Sequence, residues 1–140
     1  MAYWLIKSEP DAWSWDEQVK AGPKGTAWTG VRNHTAKLNL MKMKKGDRAF
    51  FYHSNVGKEI VGVAEVVREA YPDPSAKAGE QWVVVDVKAA EPLARPVTLV
   101  EIKAEPKLKE MALLKQSRLS VQPVAATEWK IVCTMGALKG

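Results

Sequence analysis

The chain has 140 residues, of which 46% are hydrophobic and 26% are charged. These proportions exclude a disordered polypeptide, and the length allows one compact domain. No apolar run approaches the roughly 18 to 20 residues that span a bilayer, and the start lacks the basic and apolar regions of a secretory signal. We therefore expect no membrane association and a cytoplasmic location, or a nuclear one in a eukaryote. Cys133 is the single cysteine, which excludes an internal disulfide and a multi-thiolate metal site.

The charges are distributed unevenly along the chain. Lysine and arginine number 21 against 16 acidic residues, which gives a net charge of +5. Residues 18–58 hold nine bases and one acid, and residues 103–140 hold seven bases and three acids. Two basic segments that converge in space would form the positive face expected of a protein that binds a polyanion. The alternative is a solvated, lysine-rich surface with no such partner.

Local patterns predict the elements of the first third of the chain. An aromatic and β-branched run at residues 3–7 predicts a strand that Pro10 closes. Ser14 and Glu17 fit a capping box, which predicts the start of a helix. Asn33 is placed to cap a second helix, whose end is rich in lysine.

A predicted hairpin follows. Residues 48–54 and 59–68 read as strands on either side of a turn at 55–58. The second strand is apolar on both faces, which favours a central position in a sheet. Gly62 within it indicates a bulge or a close backbone approach. Residues 71–80 form the most loop-like stretch of the chain.

The last part of the chain is predicted to be mostly helical. Pro92 and Pro96 bracket a predicted connection, and Pro123 fits the first turn of a final helix. These patterns predict one domain over residues 1–140, of mixed α/β class (α+β type), with a twisted or barrel-like sheet and peripheral helices. The other elements predicted here are a strand at 82–87, helices at 99–104 and 109–116, and a short strand at 119–121.

Catalytic and metal-binding motifs are missing from the sequence. The two histidines, His34 and His53, lie in no metal-binding spacing, and no nucleophile elbow, Walker loop or dinucleotide fingerprint is present. Glu9 and His53 remain as one conceivable acid–base pair. Cys133 fits the core better than it fits a nucleophile. The sequence therefore predicts a protein that is not an enzyme and that uses no cofactor and no metal.

One of the six tryptophans lies in a setting that differs from the others. Trp28 belongs to a glycine-containing loop, residues 26–33, that leads into a predicted helix N-terminus. Such a loop can present an indole face for stacking on a base, and it can equally hold a tryptophan that only fills the core. The tryptophans expected to be packing residues are Trp13, Trp15, Trp82 and Trp129.

Polar side chains gather where the third predicted strand ends. Alternation places His53 and Asn55 on one side of that strand and Tyr52 and Ser54 on the other. This concentration of donors and acceptors suits the polar edge of a planar ligand, although it could also do no more than satisfy the hairpin turn. Further along the chain, Arg118 could bind a phosphate with both ends of its guanidinium.

Taken together, these segments resemble the EVE domain family. The resemblance lies in YWLIKSEP at 3–10, WTGVRN at 28–33, GD at 46–47, FYHSN at 51–55 and SRLSVQP at 117–123. The order and spacing of these motifs extend over essentially the whole chain. The resemblance implies a PUA-like pseudo-barrel of about five to six strands with surrounding short helices, related to the YTH domains that read methylated adenine in RNA.

The resemblance also implies a reader of a modified base, chiefly modified cytosine in DNA. In this interpretation Trp28 stacks on a flipped base, while basic side chains hold the phosphates. The predicted base pocket comprises Lys7, Ser8, Trp28, Asn33, Tyr52, His53, Ser54 and Asn55. The predicted phosphate contacts are Arg32, Lys42, Lys44, Lys45, Ser117, Arg118 and Ser120.

Other functions fit the same residues. A reader of modified RNA, of the methyladenine type, needs the same pocket and the same charge. A small-molecule enzyme would use His53 and Glu9, and a protein-interaction module would need neither pocket nor charge. We expect a monomer whose partner is nucleic acid with a modified base, and an effector protein such as a nuclease is one further partner compatible with this function.

Overall fold

The computed structural model of the chain describes residues 1–138. Six strands and five helices, with one 3₁₀ turn at Pro106–Leu108, make up this part of the chain. The strands are β1 (Tyr3–Ser8), β2 (Thr26–Ala27), β3 (Arg48–His53), β4 (Glu59–Pro72), β5 (Val83–Thr98) and β6 (Val121–Val124). The helices are α1 (Trp15–Lys20), α2 (His34–Lys42), α3 (Leu99–Ala104), α4 (Ala112–Lys115) and α5 (Ala126–Met135).

All six strands join in one mixed sheet, in the order β2-β5-β4-β3-β1-β6. Neighbouring strands are antiparallel except β1 and β3, which are parallel. The β3–β4 turn is the predicted one, and Asn55 and Lys58 in it have φ angles of 68° and 48°. Register shifts interrupt the β3–β4 and β4–β5 pairings, and bulges of this kind bend the strands that carry them.

One face of the sheet encloses a buried group that we call the inner cluster. Helix α2 lies against it and contacts β6, β5 and β4, so it bridges the two ends of the sheet. Asn39 of α2 donates from Nδ2 to the Val121 carbonyl at 2.7 Å, which ties the helix to β6. These elements confirm the predicted mixed α/β fold with short helices, and the sheet has six strands where about five to six were predicted. The inner cluster includes Trp4, Ile6, Trp15, Trp28, Leu40, Met43, Phe51, Val66, Val85 and Val121.

The opposite face packs against α3, α4 and α5 to form the outer cluster. Trp129 of α5 stacks on Phe50 with ring centroids 3.9 Å apart and on Tyr3 at 4.4 Å. Burial raises the pKa of the Cys133 thiol to about 11, which suits the core role predicted for it. The outer cluster includes Leu5, Phe50, Tyr52, Ile60, Val97, Ile102, Leu108, Trp129, Val132 and Cys133.

The predicted caps and the predicted close approach are confirmed. The Ser14 hydroxyl accepts from Glu17 N at 3.1 Å and the Glu17 carboxylate accepts from Ser14 N at 3.1 Å, which completes the capping box of α1. Asn33 Oδ1 accepts from Ala36 N at 2.9 Å and caps α2. At Gly62, an added Cβ would lie 2.4 Å from the Trp15 ring, so only glycine fits there.

Two predictions made at prolines were wrong. Strand β5 runs through Pro92 and Pro96, although a connection was predicted there. The outer neighbour of β5 is β2, which pairs only with its earlier part, so the proline segment is a sheet edge that needs no further N–H donors. Pro123 likewise lies in the edge strand β6 rather than in a helix, and α5 begins three residues later.

No helix within residues 1–138 has the length and apolar character of a membrane span.

Candidate nucleic-acid interface

An open cleft of about 540 Å³ lies between the end of β1 and strand β2. Its volume falls within the range of small-ligand sites, roughly 300 to 1,000 Å³. Residues 7–13 form what we call the first wall, and residues 26–29 form the second wall. The residues that line the cleft are Lys7, Ser8, Glu9, Ala12, Trp13, Thr26, Ala27, Trp28 and Thr29.

A chain of hydrogen bonds holds the first wall. The Ser8 hydroxyl donates to the Trp13 carbonyl at 2.6 Å, which closes the segment on itself. The Trp13 indole N–H donates to Gln18 Oε1 at 2.9 Å, and the fully buried Gln18 amide donates to the Val87 carbonyl at 3.1 Å. This relay fixes the orientation of the half-buried Trp13 ring beside the cleft.

His53 supports the first wall from behind. Its Nε2 accepts a hydrogen bond from the backbone N–H of Trp15 at 3.1 Å, so the imidazole is neutral with its proton on Nδ1. Burial lowers the pKa of His53, and the smaller opposing effects of Glu59 and Asp16 do not reverse this shift. The ring also lies edge-on to Phe51. His53 thus positions the start of α1 and does not line the cleft.

Trp28 dominates the second wall and belongs to the inner cluster as well. Its side chain is 7% exposed, and its ring meets Phe51 edge-on at 5.5 Å. Its backbone N–H donates to the Val85 carbonyl at 2.8 Å, which extends the pairing of β2 with β5. Trp28 therefore fills the core and also borders the cleft, so the two interpretations of its sequence setting do not exclude each other.

Lys7 links the cleft to a turn near the end of the chain. Its ammonium donates to the Ser117 carbonyl at 2.7 Å, and burial lowers its pKa. Gln122 is fully buried and holds the same turn, because its amide Nε2 donates to the Gln116 and Leu119 carbonyls at 3.1 and 2.8 Å. These contacts bring the exposed Arg118 to the same side of the molecule as the cleft.

The remaining residues of the predicted base pocket lie around the cleft rather than on its surface. Asn33 uses its side-chain oxygen to cap α2, and Tyr52 lies in the outer cluster, on the opposite face of the sheet from Trp28. Ser54 donates its backbone N–H to the Ser8 carbonyl at 2.9 Å, and Asn55 is exposed in the hairpin turn. The structure thus brings Lys7, Ser8 and Trp28 together, and base contacts by the other residues stay predictions.

The predicted phosphate contacts divide into free and engaged side chains. Arg118 is exposed and lies with Asn33 and Thr35 on a shallow pocket at the start of α2. Arg32 instead forms an ion pair with the buried Asp73, with Nη1 3.0 Å from Oδ2. Lys42, Lys44, Lys45 and Ser117 are exposed, and Ser120 is half-buried.

Sequence reasoning missed two residues of the first wall. Trp13 was predicted to be a packing residue, and Glu9 was considered only as a partner of His53. The signal for Trp13 was its place five residues after Ser8, since the chain must turn back after a strand that ends at a proline.

Across residues 1–138, no group of three or more His, Cys, Asp or Glu side chains is arranged to hold a metal ion.

Comparison with known proteins identifies the family. The model of the EVE domain matches residues 2–135. Mouse thymocyte nuclear protein 1 is 38% identical, over 95% of this chain and 73% of its own length. The solved structure of a Rhodopseudomonas palustris protein is 64% identical, with a TM-score of 0.93 over 100% of this chain and 96% of the other.

A further structure was solved with a ligand. Human THYN1 protein in complex with DNA containing 5-methylcytosine is 34% identical to this chain, with a TM-score of 0.89 over 100% of both chains. A YTH domain from Zygosaccharomyces rouxii is 20% identical with a TM-score of 0.59, which shows a likeness of fold alone. The family match over nearly the whole sequence, together with these relatives, shows that the chain belongs to the EVE domain family.

Proposed function

We propose that this chain is a non-catalytic reader of DNA that holds a modified cytosine, with 5-methylcytosine as the first candidate, in the cleft between its two walls. The observation that carries the proposal is that cleft, bordered by Trp13, Trp28 and Lys7. It lies in a chain that aligns over its entire length with the human protein solved on methylated DNA.

The energetics of reading a base suit such a cleft. A base inside a duplex is inaccessible, and flipping it out costs a few kcal/mol. Stacking on an aromatic ring returns about 1 to 3 kcal/mol per base, and two indoles border the cleft. Burying one methyl group adds only about 0.8 kcal/mol, so we expect a several-fold preference for the methylated base.

Polar groups at the cleft can recognise the edge of a cytosine. The Lys7 ammonium has three donors, of which one binds the Ser117 carbonyl and two remain for the acceptors of the base. The Ser8 hydroxyl donates to Trp13, so its oxygen is left to accept from an exocyclic amine. Glu9 lies on the same lining and offers a second acceptor.

The phosphates require positive charge outside the cleft. The exposed lysines at the end of α2 and the exposed Arg118 supply it. Each phosphate contact releases counterions, so the logarithm of the affinity falls steeply with the logarithm of the salt concentration.

Three features support a role without catalysis. The His53 Nε2 atom already accepts from Trp15, and its low pKa keeps the ring neutral. The Cys133 thiol is buried, with its pKa raised to about 11, which leaves it without nucleophilic thiolate at neutral pH. Glu9 is exposed on the cleft, whereas His53 does not line it.

The test is binding, at one fixed salt concentration, to short duplexes that differ only at one cytosine or adenine, which is unmodified, methylated or hydroxymethylated. A matched single-stranded RNA with N6-methyladenosine completes the panel. Trp13→Ala removes one half-buried indole from the first wall, and Lys130→Ala, at an exposed position of α5, serves as the control. We expect a several-fold preference for one modified-cytosine duplex in the wild type and in Lys130→Ala, and its loss in Trp13→Ala.

Three results would overturn the proposal. Equal binding to all duplexes would leave a nucleic-acid-binding protein that reads no base. A preference for the methylated RNA over every duplex would make the chain a reader of RNA. Consumption of a nucleoside or oligonucleotide during the assay would contradict the absence of catalysis.

A further inference from the structure

Asp73 is a buried carboxylate with an unusual number of donors. It lies directly after β4, and its side chain is fully buried. Its Oδ1 atom accepts from the backbone N–H and the hydroxyl of Ser75, at 2.7 and 2.6 Å. Its own N–H donates to the Trp82 carbonyl at 2.9 Å, which closes the loop between β4 and β5. Asp73 thus anchors residues 73–82, which we call the β4–β5 loop.

The other carboxylate oxygen of Asp73 binds a different segment. Oδ2 accepts from the backbone N–H of Gly30 at 3.2 Å and from the Arg32 Nη1 atom at 3.0 Å. Both donors belong to the loop that runs from Trp28 to the Asn33 cap of α2. One carboxylate therefore joins the β4–β5 loop to the loop that carries the second wall of the cleft.

The guanidinium of Arg32 is committed to the same junction. Nη1 also donates to the Val31 carbonyl at 3.1 Å, and Nη2 donates to the Ser75 hydroxyl at 3.2 Å. The group lies 5.6 Å from the centre of the Trp82 ring. Since its charge is paired with a buried carboxylate, Arg32 offers a passing phosphate much less attraction than an unpaired cation would.

We propose that Asp73 and Arg32 are positioning residues, which hold the loop from Trp28 to Asn33 in the shape that receives a base. Arg32 itself makes no phosphate contact. This inference rests on the proposed function, and it replaces the role that sequence reasoning gave to Arg32. The pair acts before binding, because a loop already in its bound shape loses less conformational freedom when the base arrives.

A positioning role predicts how much affinity for the modified duplex a variant loses. If only a fraction of the molecules hold the loop in the competent shape, the apparent dissociation constant rises by the reciprocal of that fraction. A variant without the Arg32 fork whose loop is competent about one-third of the time loses about threefold in affinity for the modified duplex, which removes most of a several-fold preference. Binding to unmodified DNA, which depends on phosphates, changes little.

The experiment measures binding of modified and unmodified duplexes by the full chain from about 50 to about 200 mM salt. The variants are Arg32→Gln, Arg32→Lys, Asp73→Asn and the double variant Arg32→Gln/Asp73→Asn. Ser75→Ala is the milder change, because Ser75 is exposed and binds Asp73 without being buried itself. Lys24→Gln, an exposed lysine outside the junction, is the control.

We expect Arg32→Gln to lose most of the preference for the modified duplex while the slope of log affinity against log salt stays that of the wild type. Arg32→Lys should behave like Arg32→Gln, because an ammonium keeps the charge but cannot span Asp73 and Ser75 as the fork does. The double variant should lose no more than the larger single loss, since the two residues act as one unit.

A phosphate contact by Arg32 would give the opposite pattern. The slope would fall by about 0.9 in Arg32→Gln, and Arg32→Lys would restore it. That result, or wild-type discrimination in both Arg32 variants, would overturn the inference.

Failure of the proposed function is separable from failure of this inference. If the wild type itself does not discriminate, the proposed function is wrong, and the junction is then judged in the free protein by amide hydrogen exchange at Gly30. Faster exchange in Arg32→Gln and in Ser75→Ala, with unchanged exchange in the central strands, supports the positioning role. Unchanged exchange at Gly30 overturns it.

Discussion

The two walls of the cleft are held in different ways. The first wall is held by neutral hydrogen bonds, from Ser8 to the Trp13 carbonyl and from the Trp13 indole to Gln18. The second wall ends in a loop that is held by an ion pair with Asp73, more than forty positions along the chain. The Trp13 end of the first wall thus depends on neutral, local contacts at the start of α1, although its Lys7 end reaches Ser117. The second wall depends on an ion pair with a distant loop.

Each wall is therefore sensitive to a different kind of change. Replacing a buried side chain should destabilise the second wall, because Trp28 is part of the inner cluster. Protonation of His53 should destabilise the first wall, because its Nε2 atom accepts the hydrogen bond from Trp15 N–H and can no longer accept once it carries a proton. Three predictions separate the two walls and a fourth concerns a residue outside both, in order of decreasing effect.

Replacing the tryptophan of each wall should show the largest difference. Trp28→Ala removes a ring that is 7% exposed and packed on Phe51, so we expect a loss of about 3 to 5 kcal/mol in the free energy of unfolding. Trp13→Ala removes a half-buried ring and should lose about 1 to 2 kcal/mol. Urea unfolding of both variants measures this, and equal losses would contradict the distinction between the walls.

Adding a single methyl group at Gly62 should displace Trp15 and so disturb the first wall. In Gly62→Ala the new Cβ would lie 2.4 Å from the Trp15 ring, so Trp15 must move and the start of α1 with it. We expect a loss of about 1 to 3 kcal/mol in stability, typical of an overpacked core. Thermal unfolding gives the size of the loss. Faster amide hydrogen exchange at Trp15, with unchanged exchange at Trp28, would place the damage in the first wall.

Mild acid should weaken the first wall and spare the second. The pKa of His53 is below 6.5 in the folded protein because of burial, so the unfolded chain binds more protons as the pH falls through 6.5, and stability declines there. Burial alone would raise the pKa of Asp73, but donors from Ser75, Arg32 and Gly30 outweigh it and bring the value to about 2. The stability that Asp73 contributes is therefore complete above pH 3.8 and is lost only as the pH falls further toward 2.

Melting temperatures from about pH 7.5 to about pH 5 test this contrast. The wild type should lose stability across that interval, and His53→Gln should flatten the decline. Asp73→Asn should lower the melting temperature at every pH while the decline keeps its wild-type steepness. A decline that persists unchanged in His53→Gln would assign it to another group.

The smallest effect is expected outside both walls. Lys44→Ala removes one exposed cation at the end of α2 and should weaken binding of modified and unmodified DNA equally. The slope of log affinity against log salt should fall by about 0.9, the value for one phosphate contact. Lys130→Ala is the matched control, and a change in the ratio of the two affinities in Lys44→Ala would assign that lysine to base recognition instead.

Much of the fold could be predicted because its signals are local. The capping box at Ser14, the cap at Asn33 and the turn at 55–58 each depend on a few neighbouring residues, and all three are present. Proline was misleading in β5 and β6 because its effect on a strand depends on whether a neighbour needs its N–H. That is decided by strand order, which no short segment encodes.

The candidate site was only partly predictable, for the same physical reason. Lys7 and Ser8 belong to one sequence motif and Trp28 to another, and the sheet brings the two motifs to one cleft. The place of Tyr52 was harder to foresee, because alternation separates the two sides of β3 without telling which side faces the cleft. Asp73 carried no signal at all, since its partners Gly30 and Arg32 are reached only through the folded β4–β5 loop.

The position of β1 has a consequence for the order in which the molecule can be made. This strand, near the start of the chain, lies between β3 and β6, and β6 begins at residue 121. During synthesis β1 must wait, with one edge unpaired, until residues 121–124 have left the ribosome. Pairings this distant in sequence are slow to form, so the nascent protein holds neither the six-stranded sheet nor the Lys7 contact to Ser117 before these late segments emerge. The Lys7 end of the cleft is therefore complete only after β6 and the turn before it have packed against β1.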